Sequence, residues 1–344
     1  MKRPLLVLKF GTASITKPSG EPDVEIIDEI ARQTAILHKK YRVIIVSSGA
    51  VGAGKHYIQN YEATISQRKA AAAIGNPLLI KLYDQAFNKF GINVAQSLLE
   101  RQHFANRQQF LQLKETYEEL WKSNIIPIAN ENDVVSNREL KFSDNDELAT
   151  LIAGGFGAKV LMLCTASGGL LNKESQLVNR VERIDEEILG MVSKSKTSLG
   201  LGGMASKLTF THLANKMGIK VIIFGMKHTD GILNAINEKS GTTFLPQDAN
   251  LSAKNKWIAS GAISVGSVML DNGACKALLA RKSLLAVGIT GFDGEFEAGE
   301  LVEITDENGQ IIAVGMAKVP SQKLQENLKV QNLVFVHADD IVLI

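Results

Sequence analysis

Arg42-Val43-Ile44-Ile45-Val46-Ser47-Ser48-Gly49-Ala50-Val51-Gly52-Ala53-Gly54-Lys55-His56 joins a β-branched run to two hydroxyls, three glycines and a lysine. The run predicts a buried strand, and the glycines that follow let backbone approach a charged ligand closely. Gly49 to Lys55 fits the first seven places of the phosphate-cradling pattern G-x-x-x-x-G-K-[ST]. His56 holds the eighth, where coordination of Mg²⁺ needs a Ser or Thr hydroxyl. The stretch is therefore a degraded phosphate loop or an anion site of another kind, and the strands around it must decide which.

On its amino-terminal side, Leu5-Leu6-Val7-Leu8 is a continuous apolar run that delivers Lys9-Phe10-Gly11-Thr12 at its carboxyl end. Ile26, Ile27, Ile30, Ala31, Thr34 and Leu37 recur at helical spacing between the two strands. Downstream, a helix is predicted over 66–90, a short strand over 91–95 and a helix over 107–122. Ile125-Ile126-Pro127-Ile128 is a further strand, in which the proline marks an edge or the strand's first half. Two polar clusters follow, Asn130-Glu131-Asn132-Asp133 and Ser143-Asp144-Asn145-Asp146, the second opening an amphipathic helix with Leu148, Leu151 and Ile152. Lys159–Cys164 ends at Thr165, and Lys220–Phe224 follows the helix that Gly202-Gly203-Met204 starts.

Short apolar strands alternating with helices indicate an α/β fold, a mostly parallel sheet covered on both faces. Ligands of such sheets sit beyond the carboxyl ends of the strands. Lys9, Ser48, Asn130 and Thr165 all fall there, which points to one active site. After Trp257 the rhythm changes: Val302–Thr305 and Ile311–Val314 flank Asn308-Gly309, a hairpin signal. The expected organisation is a main domain over 1–258 and a small β-rich domain over 262–344.

Bulk composition narrows the classes. Hydrophobic residues at 45% and charged residues at 22% are ordinary for a soluble globular protein. No stretch approaches the roughly 20 apolar residues of a membrane span, and the short apolar run at the start is no signal peptide; a cytoplasmic location is expected. Cys164 and Cys275 are read as free buried thiols, and the six scattered His give no metal-ligand cluster. Residues 262–344 hold 6 basic against 11 acidic residues, and 1–261 hold 32 against 25. The basic excess suits an anionic ligand in the larger part; the acidic tail argues against nucleic acid.

Gly200-Leu201-Gly202-Gly203-Met204-Ala205-Ser206-Lys207 is the second glycine-rich stretch. It satisfies G-x-G-x-x-[GA], but the dinucleotide reading needs a strand immediately before it, and Ser193 to Ser198 is polar and lysine-rich. A glycine-rich loop feeding a helix amino terminus, with Lys207 one turn in, remains a phosphate grip. Asp133, Asp144 and Asp146 fit turn or N-cap positions, though two Asn-Asp clusters at one sheet edge exceed what capping requires.

Lys9-Phe10-Gly11-Thr12, Ser47-Ser48-Gly49-Ala50, Asn130-Glu131-Asn132-Asp133, Asp144-Asn145-Asp146 and Gly202-Gly203-Met204-x-x-Lys207 together resemble the signature set of the amino-acid kinase family. The order and spacing most resemble its glutamate-phosphorylating branch, over nearly the whole chain. Lys256-Trp257-Ile258, Asp271-Asn272-Gly273-Ala274, Gly288-Ile289-Thr290 and the hairpin near 300–318 resemble a PUA domain. The resemblance implies a three-layer αβα sandwich with a mostly parallel sheet, plus a small β-rich PUA-like barrel. It implies ATP-dependent phosphorylation, with Mg²⁺, of the side-chain carboxylate of L-glutamate, the first step of proline synthesis. Lys9 and Lys207 would hold the phosphoryl group in transfer and Asp146 would orient them. Ser48, Gly49, Asn130, Asp133 and Asn145 would bind the acceptor. Lys9, Gly11, Thr165, Ala166, Gly202, Gly203, Met204 and Lys207 would line the nucleotide side, with no metal ligand from the protein. By the same resemblance proline is a feedback inhibitor, the chain is a homo-oligomer, and glutamate-5-semialdehyde dehydrogenase receives the labile product.

That chemistry fits what the sequence lacks. A carboxylate with a pKa near ~4.3 is ionised at neutral pH and needs no general base. The demand is to position two repelling anions and to neutralise charge on the moving phosphoryl group. One departure stands out: the family's Thr-Asp is Thr165-Ala166 here, followed by Ser167-Gly168-Gly169, which predicts weaker or less selective nucleotide binding.

Overall fold

The structure is a computed structural model that describes residues 3–135, 145–191, 203–247, 264 and 266–343. The chain divides into two compact units, 1–100 with 116–249 and 101–115 with 250–344. The junction expected between 258 and 262 lies outside the described residues, as do Asp144, Gly200, Leu201, Gly202 and Trp257.

The first unit is built on an eight-stranded sheet of order β3-β4-β2-β1-β5-β7-β8-β6. Its strands are β1 (Leu5–Phe10), β2 (Arg42–Ser47), β3 (Val94–Leu99), β4 (Ile126–Glu131), β5 (Val160–Cys164), β6 (Arg180–Val181), β7 (Lys220–Phe224) and β8 (Thr242–Phe244). Every recorded pairing is parallel except that of β7 with β8. Helices α1 (Thr12–Ile15), α2 (Val24–His38), α3 (Ala50–Gly54) and α4 (Ile65–Asn88) connect the early strands; α5 (Gln102–Ala105) and the start of α6 (Arg107–Lys122) count with the second unit, and residues 116–122 of α6 with the first. Then come α7 (Asn145–Phe156), α8 (Glu186–Gly190), α9 (Met204–Lys216) and α10 (Gly231–Ile236).

Alternation along β1 sets the layers. Leu6, Leu8 and Phe10 join a core with Ile27 and Ile30 of α2, Leu79, Tyr83 and Phe87 of α4, and Ile232 of α10. Leu5, Val7 and Lys9 face the other way and are equally buried, because α7 packs there, with α9 against it. Lys9 is thus carried on a strand face covered by the helices that bear Asp146 and Lys207.

Two expectations need correction. The helix after the second polar cluster is buried on every side from Asp146 to Phe156, not amphipathic. Its far end meets an aromatic cluster in which the Phe156 ring lies 5.1 Å from Tyr117 and 6.5 Å from Trp121, so no solvent face remains. Cys275 is only half-buried, unlike Cys164; both are free thiols. Pro127 sits second in β4, which lies between β3 and β2, so of the two sequence readings the strand's first half applies and the edge does not.

The second unit holds a five-stranded sheet of order β11-β9-β12-β13-β15: β9 (Gly266–Leu270), β11 (Ile289–Asp293), β12 (Leu301–Thr305), β13 (Ile311–Met316) and β15 (Ile341–Leu343). A separate pair is formed by β10 (Leu284–Leu285) and β14 (Val334–Val336), and α11 (Asn272–Leu279) and α12 (Ser321–Glu326) complete the unit. The β12–β13 hairpin turns as its sequence dictates: Asp306 Oδ1 accepts from the Asn308 and Gln310 N–H groups, and Gly309 supplies φ +78°. Its core gathers Val268, Leu270, Ile304, Phe296 and Phe335. Among the described residues no helix is long and apolar enough to cross a membrane.

Candidate active site

The quoted loop comes first. Gly49 adopts φ +102°, a left-handed conformation that favours glycine, and this turns the chain from β2 into α3 directly after Ser48. Ser47 is buried, and its Oγ lies 3.0 Å from the Tyr83 hydroxyl and donates to the Ser48 carbonyl at 3.1 Å. The loop is tied down from behind by α4. Lys55 ends α3 as a C-cap and is half-buried.

Four neighbouring strands, β4, β2, β1 and β5, deliver Asn130, Ser48, Lys9 and Thr165 to one sheet edge. Two groups of side chains assemble there. In the first, Asp146 stands between two ammonium groups, with Lys9 Nζ at 2.5 Å from Oδ1 and Lys207 Nζ at 2.8 Å from Oδ2. All three are buried: Asp146 is 0% exposed, Lys9 4% and Lys207 6%. Burial alone would push the Asp146 carboxyl up, but Lys9 and then Lys207 outweigh it and hold it below the usual carboxylate range. Asp146 also lies in the first turn of α7, where the helix dipole favours an anion. Lys207 lies in the first turn of α9. Among the described residues, these ion pairs set two ammonium groups against one buried carboxylate, a balance that suits a further anion.

The second group is neutral. Asn145 Nδ2 donates to Ser48 Oγ at 2.7 Å and to Asn130 Oδ1 at 3.0 Å. Asn130 Nδ2 donates to Asn76 Oδ1 at 3.2 Å, and the Glu131 backbone N–H donates to Asn130 Oδ1 at 2.9 Å. Such a row of hydroxyl and amide groups offers directed donors and acceptors without adding charge. Asp133 lies just beyond it, half-buried, in the turn after β4.

Of the nucleotide-side candidates, Gly11 caps α1, and a Cβ there would meet Lys9 Nζ at 3.5 Å. Thr165 leaves β5 with its N–H bonded to the Phe224 carbonyl at 2.7 Å, and Ala166 is exposed in the turn that follows. Gly203 caps α9 and is exposed, and Met204 is half-buried. Cys164, next to Thr165, is buried, and burial pushes its thiol up to about 11.

Sequence reading missed Asn76 and Tyr83. Both lie on α4, which presents as an apolar helix. The available signal was Gly75-Asn76-Pro77 in mid-helix, three residues that a helix interior disfavours. A hollow of about 480 Å³ lined by Arg3, Arg32, His38, Lys39 and Phe90 lies at the opposite, amino-terminal ends of the strands. It contains none of the groups above and stands away from the edge where such sheets bind ligands.

The chain matches the amino acid kinase family over residues 4–225 and the PUA domain over residues 266–332. It is 36% identical over 333 residues to the glutamate 5-kinase of Caldanaerobacter subterraneus subsp. tengcongensis, covering 93% of this chain and 89% of that one. It is 34% identical over 368 residues to the glutamate 5-kinase of Haemophilus influenzae, covering 100% of both. The carbamate kinase from Giardia lamblia bound to AMP-PNP superposes with a TM-score of 0.51 at 18% identity, over 71% of this chain and 99% of that one; at that identity the likeness speaks for the fold alone.

Proposed function

The chain belongs to the amino acid kinase family, and from that membership we propose that it is a glutamate 5-kinase, which transfers the γ-phosphoryl group of ATP to the side-chain carboxylate of L-glutamate. The observation that carries the chemistry is the buried Lys9–Asp146–Lys207 cluster.

The acceptor carboxylate is ionised at neutral pH, so the site has no proton to remove from it. Its task is to hold two anions in line and to spread the charge of the moving phosphoryl group. Lys9 and Lys207 meet the transferring oxygens, held by Asp146, whose depressed pKa keeps it anionic as their common counter-charge. Ser48, Asn130, Asn145 and Asp133 fix the amino-acid end of glutamate, with the Gly49 turn placing Ser48. Gly11, Thr165, Ala166 and the stretch from Gly202 to Lys207 hold ATP. Both Asp146 oxygens are engaged by ammonium groups, so this cluster leaves Mg²⁺ to the phosphate oxygens of the nucleotide. When bound, Mg²⁺ would supply charge neutralisation on the nucleotide's phosphates.

The domain junction at 258–262, a cytoplasmic location, feedback by proline, self-association and hand-off of the labile acyl phosphate to glutamate-5-semialdehyde dehydrogenase belong to the same reading. It is tested by ADP release with glutamate, aspartate, acetylglutamate, carbamate and UMP, with hydroxylamine trapping of the acyl phosphate. Glutamate-dependent hydroxamate is expected; turnover of UMP or aspartate without glutamate overturns the assignment.

A further inference from the structure

Helices α3 and α4 touch backbone to backbone. A Cβ on Gly75 would stand 1.7 Å from the Ala50 carbonyl oxygen, and one on Gly54 would stand 1.9 Å from that of Ala71. Only glycine permits this approach. It carries the next residue, Asn76, beneath the amides of β4 and α7, where it is 4% exposed.

The hydrogen bonds fix which way each amide points, since its oxygen and nitrogen differ only in what they bond. A backbone N–H can only donate, so the Glu131 N–H fixes the oxygen of Asn130. Asn130 must then turn Nδ2 toward Asn76, which answers with Oδ1. Asn145 must approach Asn130 Oδ1 with Nδ2, and the second hydrogen of that nitrogen goes to Ser48 Oγ. Asn145 Oδ1 and Asn76 Nδ2 are left buried with no partner among the described residues. One backbone N–H therefore sets the polarity of the whole row, and Asn76 closes its far end. A cavity of about 10 Å³ beside Ser47, Asn76, Tyr83, Gln96 and Asn130 leaves little room for these side chains to turn.

We propose that Asn76 is a positioning residue for the acceptor substrate. It anchors Asn130, and through it Asn145, in the place from which Asn145 Nδ2 reaches Ser48 and the amide row meets a free amino acid. Without an oxygen at position 76, Asn130 Nδ2 is buried without an acceptor. A half-turn would set that nitrogen against the Glu131 N–H and Asn145 Nδ2, so the amide instead shifts toward another acceptor and carries Asn145 out of place. This inference rests on the reading of glutamate as acceptor.

Steady-state kinetics of Asn76→Leu and Asn76→Gln decide it. The leucine removes the oxygen at similar volume; the glutamine keeps it. The KM for glutamate should rise about tenfold in Asn76→Leu while the KM for ATP stays within about twofold, and Asn76→Gln should recover most of the loss. If the leucine variant does not fold, Asn76→Ala, which also lacks the oxygen, takes its place in the same comparison. A glutamate KM within about twofold of wild type, or an equal rise in both KM values, overturns the proposal. Wild-type enzyme that turns over a different acceptor sinks the functional reading instead. The same split is then measured with that acceptor and decides on Asn76 independently.

Discussion

Asn145 and Asp146 are consecutive residues of α7, yet they belong to groups of opposite character. Asp146 draws two ammonium groups onto one carboxylate, and the cluster is held by charge. Asn145 joins a row of neutral groups held by the direction of each hydrogen bond. Charge attracts whatever anion comes and is tolerant of angle; a row of amides is selective because every donor needs its acceptor. The difference divides the labour of the site. In the proposed function the ionic cluster would serve the phosphoryl group, which many acceptors could share, and the amide row would distinguish the acceptor.

The comparison can be broken most sharply at Asp146. Asp146→Asn removes the carboxylate that two buried ammonium groups share, and urea denaturation should show a loss of about 3–5 kcal/mol together with loss of turnover. Because the folded pKa is depressed below 3.8, the contribution of Asp146 is present above that value and is lost as pH falls through the folded pKa. The stability gap between wild type and Asp146→Asn should therefore narrow in strong acid, whereas a gap caused by Asn145→Ala should not. Lys207→Ala should lower kcat on the order of 10²–10³-fold in the ADP-release assay, with little change in the KM for glutamate; near-wild-type turnover would remove Lys207 from the site. Asn145→Ala should do the reverse, raising the KM for glutamate about tenfold and sparing that for ATP. The smallest effect is expected outside both groups: Ala166→Asp should lower the KM for ATP by a few-fold (about 0.5–1 kcal/mol), and an unchanged value would dispose of the idea that Ala166 weakens nucleotide binding.

How much of this could be read beforehand follows from how far each signal travels along the chain. The strands at 5–8, 43–46 and 160–164 are continuous β-branched and leucine-rich runs, and strand ends place ligands, so Lys9, Ser48, Asn130 and Thr165 could be assigned to one edge before any coordinates. Lys207 and Asp146 were legible from glycine-rich and acidic stretches at helix starts. Asn76 was not, because its placement depends on two backbones meeting at Gly54 and Gly75, residues 21 positions apart on different helices. Periodicity within one helix carries no information about such a crossing. The buried character of α7 escaped for a related reason: Glu147 and Thr150 read as a polar face until the neighbouring layers are known to cover them.

The crossing at Gly54 and Gly75 also constrains how this site can change over generations. Each glycine faces a carbonyl of the opposite helix, so a methyl group at either position forces the helices apart whatever stands at the other. Replacing one does not make room for replacing the second, and no order of single steps leads away from the pair without passing through a displaced α4. On the proposed reading, a change of acceptor reached by single substitutions would act on the amides themselves while this junction stays as it is.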